Sequence, residues 1–171
     1  MKDIEAHLET ANRLAAITQL VGFALWQLQE LEGVCATYYV LIEEADFGMG
    51  EDAGNALDRK AKKKTFGITI NKLAEASLFT GDIEVRFKNL LSERNWLVHR
   101  SREGSRKAIH HESHMIELVE RLQAISDEAL SLLKYIGALT EEYVKLHGVP
   151  ERYIDEKSKE ILKQWHSEDA I

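Results

Sequence analysis

The sequence predicts an all-α protein, an up-and-down bundle of about five helices. Three observations lead there. The 171 residues contain one proline, Pro150, in a chain rich in Ala, Leu, Glu and Lys, the strong helix formers. Apolar residues recur at steps of three and four along two long stretches, the spacing of one helix face. No stretch shows the alternation of a half-buried strand. The length fits one domain over residues 1–171, with a bundle core at 1–146 and a C-terminal packing helix at 150–166.

The first helix is expected over Ile4 to Glu44, where Leu14, Ile17, Val21, Leu25, Leu28, Leu31, Cys35, Tyr38 and Ile42 share a face. Gly22 and Gly33 weaken it by about 1 kcal/mol each relative to alanine and are natural places for a bend. Asp46 to Asn55, with three glycines, reads as a loop, and the lysines after it as the start of a short helix. Another short helix is expected over Thr69 to Ser77. Asp82 is the expected N-cap of a helix over Ile83 to Arg102. The serines, glycine and charges of Ser101 to Lys107 read as a loop. A long helix over Ile109 to Leu146 has the most regular stripe in the chain: Met115, Leu118, Leu122, Ile125, Ala129, Leu132, Ile136, Leu139, Tyr143 and Leu146. A 3.5-residue period means shallow-angle packing of neighbouring helices. His147-Gly148-Val149-Pro150 stops that helix. A last helix, Glu151 to Trp165, offers Tyr153, Ile154, Ile161, Leu162 and Trp165 for docking.

Composition narrows the function classes. The chain is 44% hydrophobic and 30% charged, enough to bury a core without disulfides or structural metals. Cys35 is the single cysteine, so no intrachain disulfide forms. With no secretory leader read in the sequence, a reducing, cytoplasmic location is expected. The most apolar stretch, Leu20 to Trp26, is too short to span a bilayer, so no membrane partner is expected. The net charge of −7 requires any nucleic-acid surface to be a segregated basic patch. Two segments qualify. Residues 59–64 hold Arg59, Lys60, Lys62, Lys63 and Lys64 with no acid, and residues 86–107 hold seven basic residues against Glu93 and Glu103. The plainer reading of both is a solvated helix face.

Within the second segment lies Arg94-Asn95-Trp96-Leu97-Val98-His99. At about 100° per residue, Phe87, Leu90, Leu91 and Val98 fall within about 60° of Arg94, which therefore sits in the apolar stripe. Asn95, His99 and Arg102 cluster on the flank. A guanidinium in an apolar stripe needs partners, because it does not shed its proton. It has three options: an acid such as Glu30 or Glu32 of the first helix, the carbonyls of a neighbouring helix, or a ligand in a cleft or subunit interface.

This six-residue stretch resembles the Arg-x-x-x-x-His signature of HEPN domains, including the Asn that often follows the Arg. Its setting is similar too. Trp26-Gln27-Leu28-Gln29-Glu30-Leu31-Glu32-Gly33 lies on a long first helix, and a Lys64-Thr65-Phe66-Gly67 turn precedes the motif helix. The likeness covers roughly residues 5–146. It implies a homodimeric helical bundle with Arg94, Asn95 and His99 as catalytic residues at the dimer cleft of a metal-independent endoribonuclease. It also implies a toxin or phage-defence role with an antitoxin or regulatory partner. One departure is that Arg100 and Ser101 come after the His, where many toxin members carry a Tyr two residues on.

The chemistry is coherent on its own terms. Metal-free cleavage uses the ribose 2′-hydroxyl, so RNA is the expected substrate and DNA, which lacks that group, is not. His99 suits proton transfer near neutral pH, Arg94 suits the charge on the phosphorane, and Asn95 could hold the phosphate or orient the imidazole. Arg100, Arg102, Arg106 and Lys107 are the expected RNA-binding residues. No cofactor is expected. Other HEPN domains bind nucleotides or proteins without cleavage, and that alternative stays open. A third reading is a metal-binding bundle using His110, Glu112 and His114, whose histidines are four apart; with no third ligand evident, a solvated histidine cluster is the simpler account. Cys35 reads as a buried structural thiol, and Trp26 and Trp96 as packing residues.

Overall fold

The computed structural model describes residues 2–46, 48–79 and 81–165. Among them there is no strand, and six helices replace the five or so expected: α1 (Lys2–Tyr39), α2 (Glu51–Ala61), α3 (Phe66–Glu75), α4 (Gly81–His110), α5 (Glu112–Leu146) and α6 (Glu151–Trp165). No helix among the described residues is long and apolar enough to cross a membrane. The chain divides into two compact units, residues 1–134 and 135–171.

In the first unit α1 runs unbroken through Gly22 and Gly33, then ends in a π-helical turn, Val40–Glu44. The turn closes with Ala45 N–H donating to the Val40 carbonyl at 2.8 Å. A π turn inserts one extra residue and rotates the chain beyond it. Here it carries Glu44 towards Lys64 of the α2–α3 turn and Lys72 of α3. The loop expected to reach Asn55 is shorter, and α2 starts at Glu51. Gly50, at φ 83°, takes the left-handed conformation that glycine adopts freely, just before the first turn. Glu51 and Asp52 then lie in the first turn of α2 and Arg59 and Lys60 in its last, matching the helix dipole. The α2 helix is tied to α1 by Thr37 Oγ1 donating to Asp58 at 2.7 Å.

On α3, Phe66, Thr69, Ile70 and Leu73 are buried, spaced as one helical face. The core gathers Leu28, Leu31 and Cys35 of α1, Phe66, Ile70 and Leu73 of α3, and Phe87 and Leu90 of α4. Phe87 sits at its centre, stacked on Phe79 at 4.5 Å and edge-on to Phe66 at 6.4 Å.

The largest departure from expectation is in α4. Ser101 to Lys107 is helix, and Asp82 lies inside the first turn instead of capping it. Tertiary contacts explain the continuation. Gly104 leaves room for the Trp96 ring and Leu118, which would lie 3.9 and 4.0 Å from a Cβ there. Ala108 is fully buried. Ser101 and Ser105 turn their hydroxyls back onto carbonyls four residues earlier, a bond that keeps serine within a helix. The helix breaks only at His111. α5 then lies antiparallel to α4: Arg86 makes two bonds with Glu128, and Arg121 makes two with Glu93. Seven residues forward on one helix match seven back on the other. Six of the ten expected stripe residues of α5, Leu118, Leu122, Ile125, Ala129, Leu132 and Ile136, are buried, whereas Leu146 at its end is exposed.

In the second unit α5 ends as anticipated. Gly148 has φ 87°, and Val149 N–H reaches the Val144 carbonyl at 3.0 Å, an αL helix stop. Lys145 joins Glu141 and Glu151 across that turn, and Tyr143 stacks on His147 at 4.0 Å. Of the side chains expected to dock from α6, Tyr153, Ile161 and Leu162 are each about half exposed and Ile154 is partly buried. The Trp165 side chain lies outside the described residues.

Candidate functional site

The seam of α4 steps by threes and fours: Ile83, Phe87, Leu90, Arg94, Leu97, then Ser101, Gly104 and Ala108. Arg94 occupies a place in that row where its neighbours are apolar and buried. Its side chain is 26% exposed, and its Nε donates to Glu32 Oε1 on α1 at 3.0 Å. Of the three partners open to this guanidinium, the chain supplies the acid, and it is Glu32. Glu30 instead accepts from the Trp26 indole N–H at 3.2 Å.

Asn95 and His99 are both exposed, one turn apart on the flank of α4. Val98, expected in the buried stripe, is 45% exposed. Trp96 faces α5, where the Arg121 guanidinium lies 3.5 Å from its ring centre. That is a packing role, as expected. Arg121 also binds Glu93, so this contact fixes the side of α4 opposite Asn95 and His99.

The four expected RNA-binding residues are all exposed but do not form one patch. Counting about 100° per residue from Arg94, Arg102 and Arg106 fall at about 80° and 120°, beside Asn95 and His99. Arg100 and Lys107 fall at about 240° and 220°, on the other side. Lys107 pairs with Glu103 at 3.7 Å. Lys88, which the motif did not single out, falls at about 120°. The ridge beside His99 is therefore Lys88, Asn95, His99, Arg102 and Arg106. A helical-wheel count extended back one more heptad would have found it.

A second basic group shares a cleft with Glu32, the acid that pairs with Arg94. A cleft of about 300 Å³ is lined by Gln29, Glu32, Gly33, Ala36, Lys62, Lys64, Phe66 and Thr69. The basic run at 59–64 marked these lysines. Their convergence with α1 comes from the turn between α2 and α3.

The remaining candidates resolve simply. Burial pushes the Cys35 thiol well above its ordinary range, and the Glu32 carboxylate adds to the effect. The thiol is buried and neutral, unsuited to nucleophilic attack. Among the described residues no three His, Cys, Asp or Glu side chains are placed to hold a metal ion. His110, Glu112 and His114 therefore do not converge on one, and His114 pairs with Glu117 at 3.4 Å. Compared with known proteins, the chain matches no family model, no curated protein and no solved structure.

Proposed function

We propose that this chain is a HEPN-like, metal-independent endoribonuclease that acts as a cytoplasmic homodimer, in a toxin or defence setting with a regulatory partner. The observation that carries the reading is the placement of Arg94, Asn95 and His99. The arginine is anchored in the seam of α4, and the amide and imidazole stand exposed beside it. The Glu32 ion pair engages Nε alone, and a guanidinium has four further N–H donors on its Nη atoms for a phosphate. Arg102 and Arg106 extend positive charge along the same face, where an RNA backbone would run, and Lys88 beyond them is paired with Glu84.

The proposed reaction is transesterification. His99 takes the proton of the 2′-hydroxyl, whose oxygen attacks the adjacent phosphorus. The P–O5′ bond breaks as the new P–O2′ bond forms, giving a 2′,3′-cyclic phosphate and a 5′-hydroxyl end. Arg94 stabilises the charge on the phosphorane oxygens. A proton must reach the leaving 5′-oxygen, and a two-fold partner would bring a second His99 to supply it.

The second reading is a non-catalytic binding module of the same kind. The Arg94–Glu32 pair favours it, since an arginine satisfied within its own chain already has a structural role. One assay separates the two. RNA is incubated in EDTA with wild type, Arg94→Ala and His99→Ala. Cleavage by wild type alone, leaving cyclic phosphate ends, supports the nuclease. Equal inertness of all three, from folded dimeric protein, rejects it.

A further inference from the structure

We infer that the cleft between α1 and the α2–α3 turn is a binding site for a phosphate monoester dianion, gripped by Lys62 and Lys64. The inference is independent of RNA cleavage, because Lys62 and Lys64 lie in the α2–α3 turn and the ridge beside His99 lies on α4, the two sites meeting only at the Arg94–Glu32 pair.

The charge around the cleft is unbalanced. In the lining Lys62 and Lys64 stand against Glu32, and behind them Arg94 pairs with Glu32, Asp58 with Lys62, and Glu44, Lys72 and Lys60 lie near Lys64. Two of the carboxylates have close partners: Glu32 has Arg94 at 3.0 Å and Asp58 has Lys62 at 2.7 Å. The third is divided. Glu44 Oε1 lies 3.9 Å from Lys64 Nζ and 3.6 Å from Lys72 Nζ, so two ammonium groups share one oxygen with neither at hydrogen-bond length. Lys72 has further support from Tyr39, whose hydroxyl accepts from it at 3.3 Å and whose ring lies beneath its ammonium. Lys64 has none of that kind. Its ammonium is pushed below the usual lysine range, first by its contact with Lys72, then by burial and by the charge of Lys72. An ammonium held in that way gains from an added anion.

The lining offers a phosphate two ammonium groups and neutral hydrogen-bonding groups, and its one carboxylate, Glu32, is held by Arg94. Lys62 and Lys64 supply charge, Gln29 and Thr69 supply neutral hydrogen-bonding groups, and Gly33 and Ala36 are the small residues of the α1 wall. Phe66 adds an apolar ring to the lining. A free phosphate and the terminal phosphate of a nucleotide present the same dianion to these groups.

The test is an amide-resonance titration of the whole protein with inorganic phosphate at constant ionic strength, with chloride as the control salt. The expected result is saturable shifts at residues 62–69 that chloride does not produce. Lys62→Gln and Lys64→Gln should each weaken binding about tenfold, the loss of one charge-assisted bond, whereas Lys88→Gln should not. A second titration with adenosine 5′-monophosphate separates the sources: tighter binding than phosphate assigns the site to a nucleotide, and equal binding assigns it to phosphate itself. Shifts that do not saturate, that chloride reproduces, or that survive both lysine changes overturn the inference. If Lys64→Gln fails to fold, Lys62→Gln decides, since that side chain is 46% exposed. His99→Ala should abolish cleavage and leave phosphate binding intact, so the two proposals fail separately.

Discussion

Arg94 and Glu32 each expose about a quarter of their side chains, which puts their ion pair between the surface and buried limits. Exposed pairs are worth about 0–1 kcal/mol, and breaking a buried pair costs about 3–5 kcal/mol. We expect Glu32→Ala to lower unfolding free energy by about 1–2 kcal/mol, and Arg94→Ala by a similar amount. The double variant should lose less than their sum, as read from denaturant melts in a double-mutant cycle. A sum that is additive would mean that Arg94 draws its stability from elsewhere. Cys35 gives a prediction in pH. Its thiol value is raised on folding, so the native state holds its proton after the unfolded chain has released it. The contribution is present below the ordinary value of 9.0 and is lost as pH rises beyond it. Stability should fall above that pH by up to about 1.4 kcal/mol per unit. Cys35→Ala should flatten that slope whatever it does to stability at pH 7, and the native thiol should resist thiol reagents at neutral pH.

Continuity of the helices governs the next scale. A Cβ placed on Gly22 in α1 would have nothing within 4 Å, so the position keeps only the cost of a glycine inside a helix. Gly22→Ala should stabilise the protein by up to about 1 kcal/mol, a rise of about 2–4 °C in melting temperature. No change, or a loss, would show that the glycine is kept for a contact made outside the single chain. Gly104 is the opposite case. Trp96 and Leu118 lie near 4 Å from the Cβ position, so an alanine just fits and a larger side chain does not. We expect Gly104→Leu to part α4 from α5 and to lower the melting temperature by several degrees, with Gly104→Ala near neutral. In sequence both glycines look alike as helix-weakening residues, and only the neighbour across the hairpin tells them apart.

For the whole chain, the two compact units differ in how much they bury. The first unit holds the aromatic centre at Phe87 and both Arg–Glu bridges of the α4–α5 hairpin. The second has Tyr153, Ile161 and Leu162 half exposed and Leu146 at 78%. Removing residues 147–171 should therefore move the melting temperature by only a few degrees, because little apolar area leaves water on α6. A collapse of the fold would show that α6 is an integral part of it. Phe23 and Trp26 are also half exposed, side by side on α1 with ring centres 6.1 Å apart. A protein with this much open apolar surface is expected to sediment as an oligomer, and the proposed two-histidine reaction needs one.

Helix identity and facing are readable in the residues alone because both depend on neighbours three and four apart. Leu118 to Ile136 on α5 lie where their spacing puts them, and the stop at Gly148 lies where the glycine and proline put it. Ser101 to Lys107 reads as a loop by local preference and folds as helix, because serine and glycine favour turns while the packing that holds them in α4 comes from α5. The motif positions Arg94, Asn95 and His99 are likewise visible in sequence, but their surroundings are not. Whether Arg94 meets Glu30 or Glu32, and whether Lys64 lies near Lys72 or in open water, depends on the register between helices. Register is set by contacts between residues far apart in the chain, here 62 positions for the arginine and its acid. Periodicity carries no information at that distance, so the tertiary structure alone decided the partners.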